Sequence, residues 1–207
     1  MLSYAEALDF IRGLEDWGHQ ETIPLTDAAD RVLAQPVLLD RDVPGFDRAT
    51  MDGYAVALDG AQNRFQVMDT ILAGEDKDIR PNPGQAVRIM TGAPCPPDVT
   101  VIPIERTDGG QDHVTVTDPE ALVPGRNIAW RGEDGHKGDT VAGAGQRLSP
   151  IMLSSMAMAG ATTLQVWRRP RVGIVTTGDE VGSENKAGIR DSNGPLLLSL
   201  LEAFGCE

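Results

Sequence analysis

Cysteine is scarce, with only Cys95 and Cys206 in 207 residues, and the three histidines, His19, His113 and His136, are scattered. Neither a disulfide framework nor a zinc-ligand spacing can be drawn from so few groups, so both cysteines read as free thiols. Basic residues are also few: 18 Lys and Arg stand against 31 Asp and Glu, for a formal net charge of −13. A broad nucleic-acid face needs clustered Lys and Arg, which excludes that class of function. Any anionic ligand must then be held by local basic residues, by helix N-termini or by a divalent metal. No stretch approaches the roughly 18 apolar residues of a membrane helix, and the N-terminus lacks a basic region followed by an apolar core. A cytoplasmic protein is expected, without a membrane partner. The length allows one large domain or two ordinary ones, and two units are expected.

What the chain does have is punctuation. The run from Pro44 to Val56, Pro-Gly-Phe-Asp-Arg-Ala-Thr-Met-Asp-Gly-Tyr-Ala-Val, sets two carboxylates, Arg48 and Thr50 between two aromatics and then enters an apolar strand pattern. Phe46 and Tyr54 are expected as its anchors, with Gly53 allowing a turn or a close approach to a ligand. Asp47, Arg48 and Asp52 would then face solvent or substrate. An ordinary turn before a strand fits these residues equally well.

Ahead of that loop, Ser3 and Glu6 have the form of a capping box, and Ala7, Phe10, Ile11 and Leu14 give the helix one buried stripe ending near Gly18. Thr26-Asp27 opens a second, short helix carrying Ala29, Val32 and Leu33, with Pro36 closing it. After the loop the period falls to two. Phe65, Val67 and Ile71, then Val87 and Ile89, then 99–104, then Val114 and Val116 read as short strands in antiparallel or barrel-like pairing.

Met90-Thr91-Gly92-Ala93-Pro94 is either a substrate-facing turn or a plain strand end. Residues 127–139 alternate acids and glycines without the spacing of an EF-hand, and read as a tight solvated turn. Ser149-Pro150 starts a helix over 151–159 that Gly160 stops, and residues 164–167 form a strand. Arg168-Arg169-Pro170-Arg171 marks a boundary, after which 172–175 read as a strand buried on both faces, the start of a parallel sheet. Thr177-Gly178-Asp179-Glu180 would lie beyond its carboxyl end, where α/β sheets bind ligands. Asp191, Ser192 and Asn193 precede a helix with Pro195 first and 196–201 apolar. They either cap it or help its N-terminus receive an anion.

Taken together and in this order, the motifs from Pro44, Met90, Asn127, Thr177 and Asp191 resemble the molybdopterin molybdenumtransferase family, the MoeA proteins and the related E domain of gephyrin. Arg48-Ala49-Thr50 departs from the family, which more often has Asn-Ser-Ala there, and 181–184 are looser than the usual continuation. With the changes of hydrophobic period, the resemblance implies a multidomain α+β fold. Residues 1–44 and 138–167 would form a discontinuous helical and extended domain I, and 45–137 an inserted β-rich domain II. Residues 168–207 would begin an α/β, MogA-like, molybdopterin-binding domain III.

The activity implied is insertion of molybdate into adenylylated molybdopterin with release of AMP and a divalent cation, usually Mg2+, in a homodimer. Asp52, Thr91 and Glu180 match catalytic positions, Asp52 and Thr91 reaching the site from the partner subunit. Arg131, Asp134, Thr177, Gly178, Asp179, Asp191, Ser192 and Asn193 match substrate-binding positions, and Asp52, Asp134 and Glu180 are candidates to hold the cation. A MogA-like adenylyltransferase is an expected partner. Family members continue well past position 207, so the chain is expected to be an N-terminal portion that does not complete insertion alone. The alternative is a non-catalytic dimerisation or binding module of a gephyrin-like scaffold.

Overall fold

A computed structural model describes residues 3–13, 18–58, 60, 62–75, 77–178, 181 and 189–207. In chain order the elements are α1 (Tyr4–Arg12), β1 (Gln20–Pro24), β2 (Val37–Leu38), β3 (Arg48–Ala49), β4 (Gly53–Val56), β5 (Arg64–Ile71) and β6 (Gln85–Ile89). There follow β7 (Thr100–Pro103), β8 (His113–Thr115), β9 (Ile128–Ala129), β10 (Thr140–Ala142), α2 (Pro150–Met158), β11 (Thr163–Trp167) and α3 (Asn193–Ala203). The chain divides into two compact units, Met1–Leu38 with Thr140–Glu207, and Leu39–Asp139.

In the first unit α1 carries the capping box: the Glu6 amide donates to Ser3 Oγ at 3.3 Å, and the Ser3 amide to Glu6 Oε2 at 2.7 Å. The helix ends at Arg12, earlier than expected, and Leu14 lies outside the described residues. The buried stripe is not there, since Phe10 is 67% and Ile11 60% exposed. Helical periodicity shows which face is apolar, not that anything covers it.

The expected second helix is also absent. A 3-10 turn over Leu25–Asp27 ends at Ala28, and Asp30 takes a φ of +63°, which a right-handed helix does not allow. Leu33 instead bridges Val166 and is wholly buried with Ala28, Leu148 and Met156, so sheet pairing and burial override the helical spacing. Strands β1 and β11 pair antiparallel from Gln20↔Trp167 to Pro24↔Thr163, and β2 pairs β10. Helix α2 follows the expectation: Ser149 holds the cap position, without a side-chain bond to the helix, Pro150 opens it, and Gly160, at φ +91°, stops it.

Residues 172–175 form no strand, and Val175 is 83% exposed. An apolar β-branched run becomes a strand only where a neighbour completes its ladder, and none does so among the described residues. Helix α3 begins at Asn193 rather than at Pro195 and leaves Leu196, Leu197, Leu198 and Leu200 exposed.

The second unit is built on a five-stranded sheet of order β7-β4-β6-β5-β8. Its pairs are antiparallel except β5 with β6, which run parallel across a crossover with no helix among its described residues, so the expectation of antiparallel pairing holds only in part. Side chains alternate across the sheet. Ala55, Val87, Ile89 and Val101 pack in one cluster, while Tyr54, Val56, Phe65, Ala86, Ile102 and Val114 pack in another. Strand β4, flanked by β7 and β6, is buried throughout. Gly53 makes a close approach, though not to a ligand: a Cβ there would fall on the carbonyl of Ile102 in β7.

Candidate functional site

Residues 43–52 run through the second unit as a strap tied on both sides by main-chain hydrogen bonds. On one side the Ala49 amide donates to the Ala93 carbonyl at 3.0 Å, the Gly92 amide to Ala49 at 2.8 Å, and the Cys95 amide to Asp47 at 2.8 Å. On the other, Arg48 and Ala49 pair with Ala129 and Ile128. There the Thr50 amide donates to Asn127 at 3.0 Å, and Gly132 and Asp134 donate to Pro44 and Val43 at 3.0 and 2.9 Å. Three motifs that are far apart in sequence thus meet at one place. Tyr54 anchors the strap's end, buried with its hydroxyl donating to the Gly110 carbonyl at 3.0 Å. Phe46, at 50% exposure, is not the second anchor that the sequence suggests, because the ties run through the backbone instead.

Asp52 leaves this strap exposed but not idle. Its Oδ1 accepts from the Thr91 amide at 2.7 Å and from the Thr91 hydroxyl at 2.6 Å. The turn that presents both donors closes through the Ala93 amide to the Met90 carbonyl at 3.0 Å, with Gly92 at φ +83°. The Thr91 hydroxyl, then its amide, hold the Asp52 carboxyl below the usual carboxylate range, with a smaller contribution from the charge of Arg88. Asp52 Oδ2 has no partner among the described residues and remains available to an incoming group.

A second constellation gathers at the 127–139 turn. Asp42 accepts from Arg131 Nε at 2.7 Å and from the Lys137 amide at 3.0 Å, with His136 Nδ1 at 3.8 Å. The Lys137 amide first, and Arg131 next, lower the Asp42 carboxyl from its ordinary value. Asp47 Oδ1 accepts the Arg131 amide at 2.8 Å, so Asp47 braces the turn instead of facing solvent unengaged. Arg131 is thereby held at its backbone and at Nε, and its two terminal nitrogens have no partner among the described residues. The Asp134 amide is tied to Val43, while its carboxylate is exposed and unpaired among those residues. Asp42 stands outside the residues that sequence reasoning selects. Its pairing with Arg131 spans most of the inserted unit, and no spacing rule points to it.

Thr177, Gly178, Asp191, Ser192 and Asn193 belong to the first unit, while Asp179 and Glu180 lie outside the described residues. Thr177 and Gly178 are exposed. Asp191 Oδ1 accepts from the amides of Asn193 and Gly194 at 3.0 and 2.9 Å, and its Oδ2 from Thr176 Oγ1 at 3.0 Å. These bonds, Gly194 first and Thr176 next, lower its carboxyl from the ordinary value. Two amides of the first turn of α3 are therefore already satisfied by a cap. Ser192 occupies the cap position without a side-chain bond to the helix.

No group of three or more metal-ligating side chains occurs among the described residues. Cys95 is no nucleophile at neutral pH, since burial and the nearby Asp47 push its thiol up to about 12.

The family description "MoeA N-terminal region (domain I and II)" matches residues 2–160. Curated relatives called molybdopterin molybdenumtransferase include that of Synechococcus elongatus, 33% identical over 200 residues, and that of Haemophilus influenzae, 36% identical over 198 residues. Each alignment covers 90% of this chain, and 49% and 48% of those proteins. Molybdopterin molybdenumtransferase 2 of Mycobacterium tuberculosis is 39% identical over 196 residues, covering 89% of this chain and 48% of its own length. Among solved structures, a molybdopterin biosynthesis MoeA protein of Pyrococcus horikoshii matches with a TM-score of 0.82 and 30% identity, over 98% of this chain and 55% of that one. The chain spans about half the length of the curated relatives it matches.

Proposed function

The chain belongs to the MoeA family through that N-terminal region, and on this premise we propose that it serves molybdenum cofactor biosynthesis as part of a molybdopterin molybdenumtransferase. The reaction is insertion of molybdate into adenylylated molybdopterin with release of AMP. The observation that carries this reading is the Asp52–Thr91 pair: a carboxylate oriented, and its pKa lowered, by two short hydrogen bonds, with its second oxygen unengaged, on a strap that joins three motifs.

The charges assign the roles. Molybdate and the pterin phosphate are anions, so ionised Asp52 does not bind them bare; it faces a cation or receives a proton. Arg131, braced by Asp42 and Asp47, offers its terminal nitrogens to an oxyanion in the forked geometry that guanidinium favours. The bound Mg2+ would neutralise charge on the reacting oxygens. Asp52 and Asp134 each have an unpaired carboxylate oxygen for such a cation, whose remaining ligands would be substrate oxygens and water, the usual Mg2+ arrangement. Thr177, Gly178, Asp179, Asp191, Ser192 and Asn193 belong to the pterin side of the site in this reading, residues 168–207 to an α/β, MogA-like domain III, and a MogA-like adenylyltransferase supplies the substrate. The protein acts in the cytoplasm as a homodimer, Asp52 and Thr91 serving the partner's site.

The test is molybdate-dependent release of AMP from adenylylated molybdopterin by an enzyme carrying this region. Asp52→Asn is expected to lower kcat/KM at least about tenfold with folding unaltered. Unchanged kinetics, with only association altered, would move the assignment to a non-catalytic dimerisation module.

A further inference from the structure

A cavity of about 740 Å³ opens in the first unit, and its wall carries Arg31, Arg147, Arg168, Arg169 and Arg171 with the indole of Trp167. Five of the chain's 18 Lys and Arg thus surround one opening in a protein of formal net charge −13. Guanidiniums gathered this closely repel one another unless acids or a ligand offset them. The acids that form ion pairs with them fall short. Glu21 is shared between Arg31 and Arg168, and Asp30 pairs with Arg147 at 3.4 Å. Arg169 and Arg171 have no ion-pair partner among the described residues.

The arginines spring from a fixed frame. The Leu148 amide donates to the Arg31 carbonyl at 2.8 Å, Trp167 to Val32 at 2.8 Å, and Arg168 to His19 at 2.7 Å, while Val32 bridges Arg147. At the base, Arg31 is only 11% exposed, clamped by Glu21 and by the Trp167 carbonyl at 2.9 Å. The Glu207 amide donates to the Pro170 carbonyl and the Val172 amide to an α-carboxylate oxygen of Glu207, fixing the segment that carries Arg169 and Arg171.

We propose that this cavity binds a phosphorylated small molecule of nucleotide size, its phosphates taken by Arg147, Arg168, Arg169 and Arg171 and its ring laid on Trp167. Planar guanidinium forks match phosphate oxygens, and the half-buried indole offers a face for stacking. The volume lies inside the range of small-ligand sites, which distinguishes it from the broad basic stripe of a macromolecular face.

The experiment titrates the 207-residue chain with ADP and with inorganic pyrophosphate by calorimetry at about 0.15 M salt, where surface attraction is largely screened. Saturable one-to-one binding of ADP is expected, at least about fivefold tighter than pyrophosphate because only ADP carries a ring. The double variant Arg169→Ala, Arg171→Ala should weaken ADP at least about tenfold. Arg12→Ala with Arg80→Ala removes the same charge from exposed positions elsewhere and should change it less than about twofold. Circular dichroism checks that both variants remain folded. Absence of saturable binding by either probe up to about 10 mM, or equal weakening by the two double variants, would overturn the site. Equal affinity for the two probes would overturn the stacking on Trp167. Binding of polyglutamate without either phosphate probe would replace the proposal with an acidic-peptide site.

Discussion

Asp52 owes its lowered pKa chiefly to one neighbour. Its folded pKa is depressed by the hydroxyl and amide of Thr91, so the stability it contributes is present above the unfolded carboxyl value and is lost as pH falls through the lower folded value. Thr91→Val removes the hydroxyl and leaves the amide bond. A carbon-detected NMR titration should show the Asp52 midpoint below the ordinary aspartate value in the parent and shifted back toward it in the variant. An unmoved midpoint would mean that the hydroxyl bond does not set the charge. Gly53, next in the chain, tests packing instead. Gly53→Ala drives a Cβ onto the Ile102 carbonyl, a backbone atom that cannot swing aside. A loss of about 2–4 kcal/mol in urea unfolding is expected; a near-neutral change would show that β4 and β7 can part.

At the scale of elements, order of exchange follows the ladders. The amides of β4 are paired on both sides and buried, whereas 172–175 have no strand partner among the described residues and are largely exposed. Hydrogen exchange at 172–175 should be at least about a thousandfold faster than in β4, and equal protection would reveal a pairing that these residues do not display. The same contrast explains what the sequence disclosed. Alternation at Phe65, Val87 and Val114 marked real strands, and Ser3, Pro150 and Gly160 marked real helix ends, because these signals act within a few residues. The stripe of α1, the helix expected at Thr26 and the strand at 172–175 misled, because each needed a distant partner to decide it. Leu33 found Val166, whereas Phe10 and Val175 are not covered. The parallel pairing of β5 with β6 was hidden for the same reason. In the site, Asp52 and Thr91 were legible as members of motifs, but the bond between them and the bracing of Arg131 by Asp42 depend on loops brought together only by the fold.

For the whole molecule, the proposed reaction carries a prediction about assembly. If Asp52 and Thr91 serve the partner's site, the dimer must be two-fold and isologous. Light scattering should give the mass of two chains at micromolar concentration. A monomer throughout would leave the Asp52–Thr91 pair without a partner site to serve.

The strap also decides which of its own letters matter. Its ties pass through the main chain of Arg48, Ala49 and Thr50, while the side chains of Arg48 and Thr50 are exposed and only that of Ala49 is enclosed. The register of Asp52 is therefore written in the backbone and is blind to the spelling at 48 and 50, provided that 49 stays small. Substitutions at the two outer letters are then expected to leave the carboxylate where it is.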